Sequence, residues 1–111
     1  MKIEARLVGA VTVVKPDGPL VGADADQLKA KLTELAKDTF GRVVLDISAV
    51  PYVDSKGLES LVDVAQELEQ SGKALKLCAV NETVRQAIEL TGLSPQFEHF
   101  QDTHAAVRSF L

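Results

Sequence analysis

Cysteine is nearly absent from this chain, with Cys78 alone among 111 residues. No internal disulfide and no cysteine-built metal site can form, which suits a reducing cytosol. Basic residues are not in excess: Lys and Arg number 12 against 16 Asp and Glu, a net charge of −4, and no stretch concentrates them. A phosphate-backbone binder presents a basic face, so nucleic acid is not an expected partner. No apolar run approaches the ~20 residues that span a bilayer. The opening Met1-Lys2-Ile3-Glu4-Ala5-Arg6 carries charges where a signal peptide is apolar. His99 and His104 lie five apart, a spacing that does not put two ligands on one helix face, so no metal is expected. Gly18, Gly22 and Gly57 are isolated, and no phosphate cradle of the G-x-G-x-x-G or P-loop kind is present. These absences describe a small, acidic, cytoplasmic domain without cofactor or membrane insertion.

What is present is 46% apolar residues, enough for one core and a single domain over 1–111. The pattern alternates between periods of 2 and 3.6. Ile3, Ala5 and Leu7 predict a strand with one buried face, and Val11-Thr12-Val13-Val14 a second strand antiparallel to it. Lys15-Pro16-Asp17-Gly18-Pro19 reads as a turn, and Leu20-Val21 as a brief edge strand. Asp24, with Gln27 in capping-box spacing, predicts the start of a helix whose stripe is Leu28, Leu32, Leu35 and Ala36, ending near Asp38. Residues 42–47 read as a central strand and 48–53 as a loop. A second helix runs from Ser55 to about Gln70, burying Leu58, Leu61, Val62, Ala65 and Leu68.

Residues 74–80 form the next strand, and the strand–helix–strand order implies a right-handed parallel crossover. Asn81 caps a third helix that buries Val84, Ala87, Ile88 and Thr91. Gly92-Leu93-Ser94-Pro95 stops it. A last strand near Phe97, His99 and Phe100 precedes a terminal helix, capped by Asp102 or Thr103, that buries Ala106, Val107, Phe110 and Leu111. The expected architecture is α/β: a mixed sheet of four to five strands with about four helices mainly on one face. Those helices should bury Leu28, Leu32, Leu61, Ala65, Ile88 and Val107.

Catalysis is not expected. Asp46 and Asp54 both lie near the end of the central strand, but a chain this short seldom builds the deep pocket that acid–base chemistry needs. Cys78, between Leu77 and Ala79 with no cation placed beside it, reads as a buried, inert thiol. The segment that stands out is Val53-Asp54-Ser55-Lys56-Gly57-Leu58, where a loop enters the second helix. Asp54 or Ser55 caps the free N–H groups there. Gly57 costs about 1 kcal/mol against Ala in a helix, so some neighbour, intramolecular or foreign, must approach the backbone at that point.

Val44-Leu45-Asp46-Ile47-Ser48 followed by Asp54-Ser55-Lys56-Gly57-Leu58 resembles the anti-sigma factor antagonist (STAS) domain family. There a buried strand ending in D-L/I-S leads to D-S-S/T-G-L at a helix start. Leu90-Thr91-Gly92-Leu93 resembles the family's L-x-x-T-G-L helix ending, and the resemblance runs in order over essentially the whole chain. It implies a STAS-like fold and a regulatory domain that binds a protein partner such as an anti-sigma factor or kinase-like regulator. In the family, the Ser or Thr directly before the Gly is phosphorylated by the partner kinase, and phosphorylation ends binding. Here that position is Lys56, which cannot accept phosphate. The acidic residue that often follows the family's G-x-L is replaced by Val21 after Gly18-Pro19-Leu20.

The switch is therefore expected to be lost or altered, with Ser55, a capping residue in the family, left as a secondary candidate for phosphorylation. The implied partner surface comprises Asp54, Ser55, Lys56, Gly57 and Leu58, together with Glu59, Ser60 and Asp63 on the helix face that follows. An alternative reading is a small STAS-like subunit of a membrane transport complex, bound constitutively.

Overall fold

The computed structural model describes residues 1–111. Five strands form one sheet, β1 (Lys2–Val8), β2 (Val11–Asp17), β3 (Val43–Asp46), β4 (Leu75–Cys78) and β5 (Phe97–Phe100), and their spatial order repeats their chain order. β1 and β2 are antiparallel; the pairs β2–β3, β3–β4 and β4–β5 are parallel. Each parallel step is bridged by a helix: α1 (Gly22–Asp38), α2 (Ser55–Glu69) and α3 (Glu82–Leu90), and α4 (Thr103–Arg108) follows β5. The mixed α/β architecture is the one expected. β3 is the central strand, and all four of its residues are buried.

Strand alternation sends side chains into two cores. Val14, Val43, Leu45, Leu75 and Leu77 pack with Leu28 and Leu32 of α1, Leu61 and Ala65 of α2, and Val84 and Ile88 of α3. On the opposite face, Val11, Val13, Val44 and Cys78 pack against Ala106 of α4, with Val107 and Phe110 at the margin. Three helices thus share one face, and α4 covers the other. Val107 does not join Leu28 and its neighbours as expected. The nearly all-apolar strands 43–47 and 74–80 signal burial on both faces, and the back face needs its own cover.

Several local expectations are corrected. The turn read at 15–19 begins later, because β2 runs to Asp17 and Pro16 pairs with Ile3 of β1. β2 meets β3 only over Thr12–Val14, so the N–H that Pro16 lacks is not needed by β3. Leu20 is not on an edge: it is fully buried and bridges Val53 in parallel. Asp24 does not cap α1, whose N-cap is Val21 with no side-chain bond. The Asp24 carboxylate instead accepts from the Met1 amino group at 3.3 Å, and Gln27 donates to the Met1 carbonyl at 3.3 Å. Ala5 and Leu7 are exposed, Leu7 to 74%, because β1 lies at the sheet margin beyond the helices. Thr91 is exposed too, as the C-cap of α3, and so is Leu111, which lies beyond the end of α4. Past it Gly92 takes φ 71°, and Leu93 N–H returns to the Ile88 carbonyl at 3.0 Å, the expected Gly stop.

Candidate functional site

The loop from β3 to α2 is fixed from three sides before any side chain of the site is placed. Gly18 N–H donates to the Ala49 carbonyl at 3.0 Å, Leu20 N–H to that of Tyr52 at 3.1 Å, and Asp54 N–H to that of Leu20 at 3.3 Å. The Asn81 side chain, which caps α3 by accepting from Val84 N–H, donates to the Val50 carbonyl at 2.8 Å. The segment entering α1, the segment entering α2 and the first turn of α3 are thereby joined at one end of the sheet.

Asp54 occupies the centre of this arrangement. Its Oδ1 accepts from Gly57 N–H at 2.8 Å and caps α2, so Asp54 rather than Ser55 is the N-cap. Its Oδ2 accepts from Gly22 N–H at 3.2 Å, at the first residue of α1. One carboxylate therefore serves two helix N-termini, where free N–H groups and the helix dipole both favour an anion. Nothing in the sequence pairs Gly22 with Asp54, because the contact spans 32 residues.

Gly57 is buried, and its neighbour is internal. A Cβ built there would lie 2.2 Å from the carbonyl oxygen of Leu20. Of the two neighbours the sequence allowed, intramolecular or foreign, the structure supplies the first. Leu58 is also buried, and so is Ser60, at 4% exposure; neither is open to a partner, contrary to the expected surface. Val64 and Ser60 both turn inward, whereas Val62 is only partly covered. The buried stripe of α2 is therefore centred closer to Leu61 and Val64 than the sequence suggested.

The surface that remains is Asp54, Ser55, Lys56 and Glu59, all exposed, with Asp63 half-exposed. Lys56 stands in the first turn of α2, which holds no acidic residue. A cation there opposes the dipole by about 0.3–1 kcal/mol. Its Nζ lies 3.4 Å from Asp26 Oδ1 on α1, with both side chains about half-exposed or more. Asp26 is a site residue the sequence did not flag, since a helix–helix contact leaves no local signal. Asp63 is engaged as well: it accepts from Lys29 Nζ at 3.0 Å, and this bond keeps the Lys29 ammonium charged above its ordinary range. Thr33 donates to Glu67 at 2.9 Å one turn further along, so α1 and α2 are joined along their outer sides.

Asp46, the other carboxylate at the end of the central strand, lies on the back of the sheet. It accepts from Ser48 N–H at 2.9 Å and from the Thr103 hydroxyl at 3.3 Å, and does not meet Asp54 in a shared cavity. Cys78 is fully buried, with its sulfur 3.6 Å from Thr103 Oγ1. Burial, with the Asp46 and Asp102 charges, pushes this thiol above its ordinary range against the weaker effect of the Thr103 hydrogen bond. No group of three His, Cys, Asp or Glu side chains is placed to hold a metal ion, and no helix is long and apolar enough to cross a membrane.

Known proteins resemble this chain over most of its length. The family model described as the STAS domain matches residues 2–107. BtrV of Bordetella bronchiseptica, named as a candidate anti-sigma factor antagonist, is 30% identical over 99% of this chain and 95% of its own. The anti-sigma-B factor antagonist of Staphylococcus aureus is 30% identical over 84% of this chain and 86% of its own. Among solved structures, a candidate anti-sigma factor antagonist of Thermotoga maritima superposes with a TM-score of 0.86 at 23% identity. That match covers 96% of this chain and 92% of the other, a likeness of fold.

Proposed function

The chain belongs to the STAS domain family, and on that premise we propose that it is a regulatory domain that binds an anti-sigma factor or kinase-like protein through the start of α2, with no phosphorylation switch of the family's kind. The observation that carries the proposal is Lys56, exposed in the first turn of α2 and paired with Asp26, at the position where the family's phosphoacceptor hydroxyl stands. A phosphate there would add about two negative charges to the docking surface; a lysine presents a fixed positive charge instead. Both relatives are named for anti-sigma factor antagonism and match over most of their own length. That favours this reading over a subunit of a transport complex.

The contact centres on Ser55, Lys56 and Glu59, with Asp54 and Asp63 at its margin. Gly57, Leu58 and Ser60 support it from beneath. The partner is expected to offer a carboxylate to Lys56. The test begins with co-purification from the native host, then calorimetry with the protein recovered. Lys56→Glu should weaken binding by more than about 1 kcal/mol, because repulsion replaces attraction across a contact. Incubation with the kinase-like partner and ATP should leave the intact mass unchanged. Stoichiometric phosphate on Ser55, or unchanged affinity in Lys56→Glu, would overturn the proposal.

A further inference from the structure

The two margins of the sheet are unequal. β5 is four residues long, and β1 is seven, paired without interruption from Lys2↔Asp17 to Val8↔Val11. No strand lies outside β1. An outer strand is usually kept from pairing with another chain by shortness, proline, a bulge or charged side chains; β1 has only the last, and its Lys2, Glu4 and Arg6 alternate in sign. Its Leu7 is 74% exposed on the same side of the sheet as Ile3 and Ala5, the side that carries α1.

We infer that β1 is the contact between two copies of this chain, which pair antiparallel about a two-fold axis at Ala5 and continue the sheet from one copy into the other. The sequence Lys2-Ile3-Glu4-Ala5-Arg6-Leu7-Val8 is complementary to itself in that register. Glu4 falls opposite Arg6 of the second copy, and Arg6 opposite its Glu4, giving two cross-strand ion pairs on one face. Ile3 and Leu7 fall opposite each other twice on the other face. A two-fold axis at Glu4 or at Arg6 sets like charges against one another, so the charge pattern selects Ala5.

The small Ala5 side chain lets the strands approach at the axis. On the helix side, a shallow recess lined by Ile3 and by Gln27, Ala30, Lys31 and Glu34 of α1 lies beside the strand. Leu7 of the second copy is directed toward it, because directly opposed residues in an antiparallel pair share a face. The contact is isologous, so it closes at two copies.

Sedimentation equilibrium up to about 1 mM protein tests this, a range suited to a contact of one strand pair. The wild type should pass from monomer to dimer. Glu4→Arg and Arg6→Glu should each weaken the dimer by at least ~tenfold, since each places two like-charge pairs in the contact. The combined swap should restore it, and an equimolar mixture of the two single variants should form a heterodimer. Both side chains are exposed, and far-UV circular dichroism checks that the variants fold.

Independently, Ala5→Cys should cross-link to itself on mild oxidation, since antiparallel partners lie within the ~4.4–6.8 Å Cα separation of disulfides. Leu7→Cys should not, and the buried Cys78 stays silent. A wild type that remains monomeric, single variants that dimerise as the wild type does, or self-cross-linking through Leu7→Cys would each overturn the inference.

Discussion

A single added methyl group at position 57 would meet the Leu20 carbonyl oxygen at 2.2 Å, and that oxygen is held in place by Asp54 N–H. Two effects compete in Gly57→Ala. Helix propensity gains about 1 kcal/mol, while forcing an atom into a packed backbone costs about 1–3 kcal/mol or more. The oxygen belongs to a fully buried residue and cannot rotate aside as a flexible side chain could, so the steric cost wins. Gly57→Ala should lower the urea midpoint with an unchanged m value, a net loss of at least ~1 kcal/mol; a stabilised variant would contradict the packing described. The same contact warns against reading a binding defect in any Gly57 variant as evidence about the partner surface.

At the scale of elements, the C-terminal end of α4 is held to the sheet by one lysine. Lys76 projects from β4 to the back face, where its ammonium donates to Glu98 Oε1 and to Ser109 Oγ, each at 2.8 Å. It also lies 4.5 Å from the ring centre of Phe110 and 5.3 Å from that of Phe100. Its side chain is 11% exposed, so it has lost most of its hydration, and its aliphatic stem is packed. The Glu98 carboxylate is half-exposed, so water takes over its hydrogen bond when an apolar side chain of similar length replaces the lysine, whereas removing the stem opens a gap. Urea denaturation should place Lys76→Met within ~1 kcal/mol of the wild type and Lys76→Ala ~2 kcal/mol or more below it. Equal losses in the two variants would assign the anchoring to the charge alone.

The helices were legible because their apolar spacing and their caps at Asn81, Asp102 and Gly92 are local signals. Asp24 misled for a related reason. Its residue type suits a cap, yet the Met1 amino group 23 residues away claims its carboxylate. The site was legible in outline, since Asp54-Ser55-Lys56-Gly57-Leu58 does open a helix. The Asp26 contact, the Gly22 bond and the inward turn of Ser60 depend on how α1 packs on α2, which no local pattern records. The exposure of Ala5 and Leu7 escaped notice because alternation predicts a buried face without saying whether a helix reaches that far.

For the molecule as a whole, β2, β3 and β4 contribute side chains to both cores, so neither core can be lost while the other persists intact. Leu61→Ala in the front core should cost about 2–5 kcal/mol, and Ala106→Asp in the back core should destabilise comparably by burying an unpaired charge. Each should shift one cooperative transition. Alkylation of Cys78 reads this out directly, because a thiol that is fully buried and held protonated reacts only after opening. Its rate should follow the unfolding seen by circular dichroism through the urea transition. A raised thiol pKa stabilises the fold fully below the unfolded value near 9, and that contribution fades as the pH rises past it. Early release of α4, with Cys78 reactive before the main transition, would mean that the back core is a separate unit.

The identity of spatial and chain order in the sheet also has a consequence for synthesis. As the chain leaves the ribosome, every strand after β1 finds its partner already made and joins at the open margin, with no strand inserted between two that are paired. The cover of the back face comes last. Until Thr103–Arg108 has emerged, Val11, Val13, Val44 and Cys78 line an open apolar face, so the nascent domain is most exposed to other chains just before it is finished.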